Sequence, residues 1–313
     1  MKLIATVLLT FTALTSLTAH AEYPERPIQL IVPFPAGGAV DTVARSFAQA
    51  FDRKINQRVA VLNRDGASTT IGMTALLTAP NDGYTIYYGP VTALTVHLHW
   101  MKGLQFNANS FVPVCQAFEN VFMVAAPPQS PFKSLDDVLT HARARPGRLT
   151  YAHSGVASSP HLTGADLFQR AKVSLVDVPF RGETAMIPML RDGSVDLAVV
   201  SVSFVDIQGL KPFAVFADKR YPKFPNVPTA KELGIPVVPS AYGGLFMRAD
   251  TPAPIVKKVE AACQATMSDP EFKTFAQRNY QLTNYLGSAQ FSARIRADSP
   301  AKAQLLGTLK IEQ

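Results

Sequence analysis

The chain has 313 residues, of which 47% are hydrophobic, and its formal net charge is +7. This length exceeds that of one ordinary domain, and the hydrophobic share is sufficient for two buried cores. The positive charge can attract acidic solutes, but no basic run interleaved with aromatic residues accompanies it, so a nucleic-acid-binding protein is not expected.

The N-terminus predicts a cleavable signal peptide over residues 1–21. Lys2 precedes an apolar stretch from Leu3 to Leu17, and a small residue stands at each position that a signal peptidase reads, Ala19 and Ala21. We predict cleavage after Ala21. A membrane anchor is the alternative, but the stretch contains threonines and is shorter than the ~20 apolar residues that span a bilayer. The mature protein is therefore expected to be soluble in the periplasm.

The two cysteines, Cys115 and Cys263, are too few to build a disulfide scaffold. Export permits one disulfide between them, whereas two buried thiols are the alternative, and their spacing does not decide between the two. Cys115 lies far from the predicted cleavage site, so a lipid anchor at the mature N-terminus is not expected.

After the signal peptide, β-branched apolar runs alternate with amphipathic stretches. This order is typical of α/β layers with largely parallel strands. Apolar residues at helical spacing predict a helix from Val40 to Phe51, and Ser134 is predicted to cap the N-terminus of another helix. The predicted strands are Ile28 to Val32, Val59 to Leu62, Thr85 to Tyr88, Val121 to Ala125, Leu149 to Ala152, Leu175 to Val178, Val195 to Val200 and Phe213 to Phe216.

Two proline clusters indicate where the chain changes domain, because neither can be helix or central strand throughout. The first lies between Pro127 and Pro131, and the second between Pro222 and Pro239. We predict that domain 1 comprises residues 22–124 and 246–313, and that domain 2 comprises residues 125–245.

The first candidate site is the corner Pro33 to Asp41, between the first predicted strand and the helix. Gly37 and Gly38 allow the backbone to approach a ligand, and the free N–H groups of the helix N-terminus suit a carboxylate or phosphate. The corner lacks the lysine of a Walker loop and the glycine spacing of a dinucleotide site. A purely structural connection explains these residues equally well.

The second candidate site is the corner His153 to Leu162, which also joins a strand to a helix. We expect Ser159 to be the N-cap and Pro160 the first helical residue. The hydroxyls of Ser154, Ser158 and Ser159 add hydrogen-bond donors at this helix end. Two such corners, one in each predicted domain, predict a cleft that holds an anion from both sides.

Two other kinds of chemistry are weaker interpretations. Ser158 or Ser159 beside His153 or His161 suggests a hydrolase, but the G-x-S-x-G elbow is absent and serines at helix starts are usually caps. A metal site at His97 and His99 lacks further ligands, and we interpret these residues as the polar side of an edge strand. No catalytic residue, metal or cofactor is therefore expected.

Three further side chains could contribute to the cleft. Arg181 could pair with an anionic ligand, although a solvated turn arginine is the commoner role. Phe34 and Phe180 could supply apolar walls or simply belong to the core. Asp41 could do no more than complement the helix dipole.

In these segments the chain resembles the Bug receptors, which are the substrate receptors of tripartite tricarboxylate transporters. The resemblance rests on the order and spacing of many short matches: Tyr23-Pro24 to Pro27-Ile28, Pro33 to Asp41, Asn63-Arg64, Pro80 to Thr85, the serine-rich loop ending at His161-Leu162, Pro179 to Gly182, Gly193 with Val195 to Leu197, Pro225 to Thr229, and Thr251 to Val256.

The resemblance implies a type II periplasmic-binding-protein fold, with two α/β domains and a ligand cleft between them. It implies that a small organic carboxylate is held in the cleft, partly through water, and is delivered to separate inner-membrane permease subunits. A monomer is expected, and a periplasmic sensor is the main alternative. The expected ligand-binding residues are Phe34, Pro35, Ala36, Gly37, Gly38, Asp41, Ser154, Gly155, Ala157, Ser158, His161, Phe180 and Arg181.

The chain departs from the family at Val200, where an aspartate that could meet a ligand ammonium is common. This departure predicts a preference for a ligand without an amino group. The sequence does not name the solute, since dicarboxylates, tricarboxylates, aromatic acids and nicotinate-like molecules all carry the expected anionic group.

Overall fold

The computed structural model describes residues 22–37, 39–237 and 241–309, so the predicted signal peptide lies outside the described residues. The strands are β1 (Ile28–Val32), β2 (Val59–Asn63), β3 (Thr85–Pro90), β4 (Phe111–Glu119), β5 (Phe122–Ala126), β6 (Thr150–His153), β7 (Val176–Pro179), β8 (Leu197–Ser201), β9 (Lys211–Phe216), β10 (Tyr242–Arg248) and β11 (Leu286–Gly287). The helices are α1 (Ala39–Ile55), α2 (Thr70–Thr78), α3 (Leu98–Trp100), α4 (Leu135–Ala144), α5 (Ser159–Arg170), α6 (Ile187–Arg191), α7 (Val202–Gln208), α8 (Ala253–Met267), α9 (Pro270–Arg278) and α10 (Ser288–Leu309).

The strands form two sheets. The six-stranded sheet has the order β11-β4-β10-β3-β1-β2 and draws on both ends of the chain, whereas the five-stranded sheet has the order β7-β6-β8-β5-β9 and uses only the middle. The chain passes directly between the sheets from β4 to β5 and returns at β10. The six-stranded sheet is therefore assembled from two separate parts of the chain, and the five-stranded sheet from the segment between them.

The prediction of largely parallel strands is wrong, because both sheets are mixed. β1 runs parallel to β2 and β3, and β6 runs parallel to β7 and β8. In contrast, β10 is antiparallel to β3 and β4, and β5 is antiparallel to β8 and β9. Parallel neighbouring strands need a long crossover connection, which α1 and α5 provide. The strands with which the chain enters each sheet from the other, β5 and β10, are antiparallel to their neighbours.

The helix predicted from Val40 is confirmed as α1, and its apolar face packs on the six-stranded sheet. The ring of Phe47 lies 5.0 Å from that of Tyr88 on β3 and 5.5 Å from that of Phe272 on α9. Ser134 is confirmed as the N-cap of α4, where its side chain accepts a hydrogen bond from Asp137 N. Two separate clusters of buried apolar residues pack on the five-stranded sheet, so each sheet has its own hydrophobic interior.

Cys115 on β4 and Cys263 on α8 form a disulfide, which answers the question that their spacing left open. Both residues are fully buried in the core of the six-stranded sheet. The bridge joins the strand before the chain leaves this sheet to the helix after it returns, across a sequence separation of 148. It therefore closes a loop that contains the whole five-stranded sheet.

No helix among residues 22–37, 39–237 and 241–309 is both long enough and apolar enough to cross a membrane.

Candidate functional site

A cavity of about 400 Å³ lies where the two sheets face each other. Both sheets contribute residues from the carboxyl ends of parallel strands to its walls, which is where ligands bind in open α/β sheets. The residues lining it are Phe34, Val40, Val43, Ser68, Thr69, Pro90, Thr92, His97, Asn120, Val121, Phe122, Ser154, Ser158, Ser159, Pro160, Glu183, Ser201, Ser203, Ala241, Asn279, Tyr280 and Gln281.

A second cavity, of about 990 Å³, is larger but lies elsewhere between the sheets. It is bounded by residues of α10 and by the chain that follows β9, and it includes no residue of either predicted corner. The smaller cavity is the better candidate, because both strand-to-helix corners contribute to its walls.

The first corner is held in place by Asp41, which is almost fully buried. Its carboxylate accepts hydrogen bonds from Gly37 N at 2.8 Å and from Asn63 Nδ2 at 2.7 Å, and it pairs with Arg45 Nε at 2.8 Å. Burial acts to raise the pKa of Asp41, but these hydrogen bonds outweigh burial and hold the pKa below its usual value. Asp41 thus shapes the loop and does not line the cavity.

The remaining residues of the first corner have different positions. Phe34 lines the cavity, and its carbonyl oxygen accepts a hydrogen bond from Asn63 Nδ2 at 2.9 Å. Pro35, Ala36 and Gly37 are exposed and are not part of the lining. Gly38 lies outside the described residues. The structure therefore places Phe34 in the wall of the cavity and leaves the following turn out of it.

The second corner places its serines at the cavity, but its helix begins differently from the prediction. Ser158, not Ser159, is the N-cap of α5, and its Oγ accepts from His161 N. Ser159 is the first helical residue and Pro160 the second. A cap oxygen bonds the N–H two or three positions further on, and Ser158 has the extended backbone that a cap needs. Ser154, Ser158 and Ser159 all line the cavity.

The loop between these serines has an unusual backbone. Gly155 has a φ of 128° and Ala157 a φ of 56°, a region that non-glycine residues rarely adopt. Ala157 is held there because its N–H donates to Nδ1 of His161 at 3.0 Å. Neither residue lines the cavity, and His161 is buried behind the loop. These three residues set the shape of the serine loop.

Behind this loop, His153 and His161 stack with ring centroids 4.2 Å apart. Asp177 Oδ2 lies 3.3 Å from His153 Nε2 and 3.8 Å from His161 Nε2. These three side chains could hold a metal ion by proximity. However, Nδ1 of His161 accepts from Ala157 N, so Nε2 carries the proton of the neutral ring and has no free lone pair for a metal. The cluster is better described as a hydrogen-bonded support.

Burial lowers the pKa of both histidines in this cluster. The pKa of His161 falls to about 4, because burial and the neighbouring His153 disfavour its charged form more than Asp177 favours it. Burial also lowers the pKa of His153 against the hydrogen bonds to Asp177 and Gly155. Both rings are therefore neutral at neutral pH.

Phe180 and Arg181 follow β7 but do not reach the cavity lining. Phe180 is half-buried against a core of the five-stranded sheet, and its N–H donates to His153 O at 2.9 Å. Arg181 is exposed. Glu183, two residues later, is the side chain of this segment that lines the cavity.

Several lining residues escaped the sequence analysis. Ser68 and Thr69 follow β2, Ser201 ends β8, and Glu183 follows β7. Their position just after predicted strands could have identified them, because ligands bind at the carboxyl ends of such strands. His97 also lines the cavity, and the prediction that it lies on an edge strand is wrong. It ends a π-helical turn, Ala93–His97, which continues into α3, so the ring is buried on a helical face.

The cavity combines apolar walls with hydrogen-bonding groups. Among the lining residues that the structure describes there is no lysine or arginine, and the hydrogen-bonding groups are mostly serine and threonine hydroxyls and side-chain amides. Glu183 carries the one carboxylate among the described residues that line the cavity. An anion in this cavity would be held by hydroxyls and by the positive N-terminus of α5.

A family model for the tripartite tricarboxylate transporter family receptor matches residues 43–308 of the chain. The chain belongs to this receptor family. A relative from Pseudomonas sp. (strain P51), the UPF0065 protein in the tcbD-tcbE intergenic region, is 33% identical over 270 residues, which are 83% of this chain and 80% of that protein. The predicted family is thus confirmed.

Solved structures show the same architecture as this receptor. The periplasmic binding protein BugD has a TM-score of 0.78 and 26% identity, over 93% of this chain and 99% of BugD. MatC from Rhodopseudomonas palustris, solved with bound malate, has a TM-score of 0.76 and 26% identity, over 91% of this chain and all of MatC. The predicted type II periplasmic-binding-protein fold of α/β class is confirmed.

Proposed function

We propose that this receptor is exported to the periplasm, after cleavage following Ala21, and captures a small organic carboxylate in the cavity between its two sheets. It delivers the solute as a monomer to the inner-membrane permease subunits of a tripartite tricarboxylate-type transporter. The six-stranded sheet is the centre of domain 1, proposed as residues 22–124 and 246–313, although its strand β10 begins earlier, at Tyr242. The five-stranded sheet is the centre of domain 2, proposed as residues 125–245, although its strand β5 begins earlier, at Phe122.

The N-terminus of α5 is the observation that carries this proposal. Three serine side chains, those of Ser154, Ser158 and Ser159, line the cavity at the positive end of a twelve-residue helix. Hydrogen bonds from hydroxyl groups to an ionised acceptor are stronger than those between neutral groups. The bound malate of MatC, a protein of the same architecture, supports the choice of a carboxylate over a phosphate.

A screen of carboxylates against the mature chain tests the proposal. We expect at least one mono-, di- or tricarboxylate to raise the unfolding temperature by about 5 °C, because ligand at 100 times its Kd stabilises a protein by about 2.7 kcal/mol. Differential scanning fluorimetry with inorganic phosphate and the corresponding amides as controls measures this effect. Stabilisation by phosphate alone, or by none of the carboxylates, would contradict the proposed function.

Replacing Ser158 and Ser159 by alanine distinguishes a receptor from a serine hydrolase. We expect the double variant to bind the carboxylate found in the screen at least about 100-fold more weakly, because each of the two lost hydroxyl donors to a charged group costs about 1.5–3 kcal/mol and about 1.4 kcal/mol corresponds to a factor of ten. Loss of the Ser158 cap should also lower stability by about 1 kcal/mol.

Isothermal titration calorimetry measures the affinity, and Ser194→Ala, at an exposed serine, is the matched control. Ester or amide turnover by the wild-type protein that disappears in the double variant would support a hydrolase and count against a receptor.

A further inference from the structure

The carboxylate of Glu183 occupies the wall of the cavity formed at the ends of β7 and β8. Its two oxygens accept hydrogen bonds from Ser201, one from the backbone N at 2.5 Å and one from Oγ at 2.7 Å. Ser201 Oγ lies 2.9 Å from Ser203 Oγ, and both serines line the cavity too. Glu183 is therefore fixed in position by groups that favour its ionised form.

No basic side chain neutralises this carboxylate. In the part of the chain that the structure describes, no lysine, arginine or histidine forms an ion pair with Glu183, and no lysine or arginine lines the cavity. Burial raises the pKa of Glu183 against the two hydrogen bonds from Ser201. A partly buried carboxylate without a cationic partner is less favourable than a paired one, so a cation entering the cavity would be stabilised there.

A second side chain in the same cavity has an acceptor atom without a donor. Gln281 is only 6% exposed, and its Nε2 donates to Asn120 Oδ1 at 3.1 Å. Its Oε1 is buried and receives no hydrogen bond from any described residue. Because an unsatisfied buried acceptor costs about 1–3 kcal/mol, a ligand that brings N–H groups would gain from satisfying it.

We propose that the ligand carries an ammonium group as well as a carboxylate, and that Glu183 binds the ammonium. This inference rests on the proposed function and specifies its solute class as a zwitterionic amino carboxylate. The hydroxyls at the N-terminus of α5 hold the carboxylate, while Glu183 and Gln281 accept from the nitrogen. The same cavity thus offers donors for a carboxylate and acceptors for an ammonium group.

This assignment reverses the preference expected from Val200. Val200 is fully buried in the core of the five-stranded sheet and does not line the cavity. The chain lacks a carboxylate at this position of β8, and Glu183, which follows β7, supplies one to the cavity instead. The difference arises because β7 and β8 end at the same edge of the sheet, so either segment can present a side chain there.

Paired ligands that differ only in the amino group test the assignment. Calorimetry would compare L-aspartate with succinate, L-glutamate with glutarate, and γ-aminobutyrate with butyrate, together with any carboxylate found in the screen and its amino or deamino counterpart. We expect the wild-type protein to bind the amino member of the best pair at least tenfold more tightly. Glu183→Gln should weaken that binding about 30-fold or more and leave the deamino member unchanged or tighter.

Glu25→Gln, at an exposed glutamate away from the cavity, is the matched control and should behave as wild type. A wild-type protein that prefers amine-free carboxylates, or an unaltered preference in Glu183→Gln, overturns the inference while the receptor function stands. If no carboxylate of either kind binds, the proposed function fails and this inference fails with it. Unchanged binding of the deamino member by Glu183→Gln separates loss of the charge from general damage to the cavity.

Discussion

Replacing both Cys115 and Cys263 by alanine is expected to lower the free energy of unfolding by about 2–4 kcal/mol. The bridge closes a long loop, with a sequence separation of 148, and so restricts the unfolded chain strongly. It also joins the two parts of the six-stranded sheet that lie on either side of the five-stranded sheet in sequence. Denaturant unfolding followed by the fluorescence of Trp100, the single tryptophan, measures the loss.

Reductant provides the control for this prediction. In the wild-type protein, dithiothreitol should shift the unfolding midpoint to lower denaturant, because the bridge is reduced once the chain unfolds. The double variant has no bridge and should unfold at the same midpoint with and without dithiothreitol. A wild-type midpoint that does not respond to reductant would show that the bridge contributes nothing to stability.

Local sequence patterns predicted those strands and helices whose own residues also suit the buried positions that they occupy in the fold. Four of the five residues from Ile28 to Val32 are apolar and buried, three of these four are β-branched, and the predicted strand matches β1 to the residue. The alternation of strand and helix predicted both corners, since each lies between a short apolar run and an amphipathic one. Family resemblance then gave the fold and the receptor class.

Strand β10 shows why local propensity is not sufficient. Gly243 and Gly244 lower the strand propensity of this segment, yet both lie in the middle of the six-stranded sheet. A Cβ on Gly244 would lie 1.9 Å from Cys115 O, and one on Gly243 would lie 2.2 Å from Gly89 O. The glycines are required by the close approach of β3 and β4, which the sequence of β10 alone does not reveal.

The sequence predicted only part of the candidate site, and the rest was missed because it depends on non-local contacts. Phe34 and the three serines line the cavity, and they belong to corners that the sequence shows as continuous segments. Glu183, His97 and Gln281 reach the cavity from separate segments whose meeting depends on the strand order of both sheets. Pairing of distant strands is a non-local property, so these residues were not identifiable from spacing along the chain.

Acidification from pH 7 to pH 4 is expected to destabilise the protein through its buried histidines. Burial lowers the pKa of His97 to about 4 and that of His161 to about 4, from an ordinary value of 6.5. The unfolded chain therefore binds more protons than the folded protein between pH 6.5 and about pH 4. The stability that each neutral ring confers is complete above pH 6.5 and is lost as the pH falls through about 4.

The expected magnitude is on the order of 3 kcal/mol for each of these histidines, since one pKa unit corresponds to about 1.4 kcal/mol. Two carboxyl groups act in the opposite direction. Burial raises the pKa of Glu183 and of Asp298, so their protonation below neutral pH favours the folded state. The histidine contribution must therefore be isolated by comparing variants at each pH.

His161→Gln makes this comparison, because a glutamine oxygen can still accept from Ala157 N but does not titrate. We expect the difference in unfolding free energy between wild type and His161→Gln to fall by about 3 kcal/mol from pH 7 to pH 4. His99→Gln, at an exposed histidine, reports what loss of an imidazole does by itself. If the difference in unfolding free energy between wild type and His161→Gln stays constant with pH, His161 is as easily protonated in the folded protein as in the unfolded chain. The bond from Ala157 N to Nδ1 would then not require a neutral ring, and the serine loop would owe its shape to other contacts.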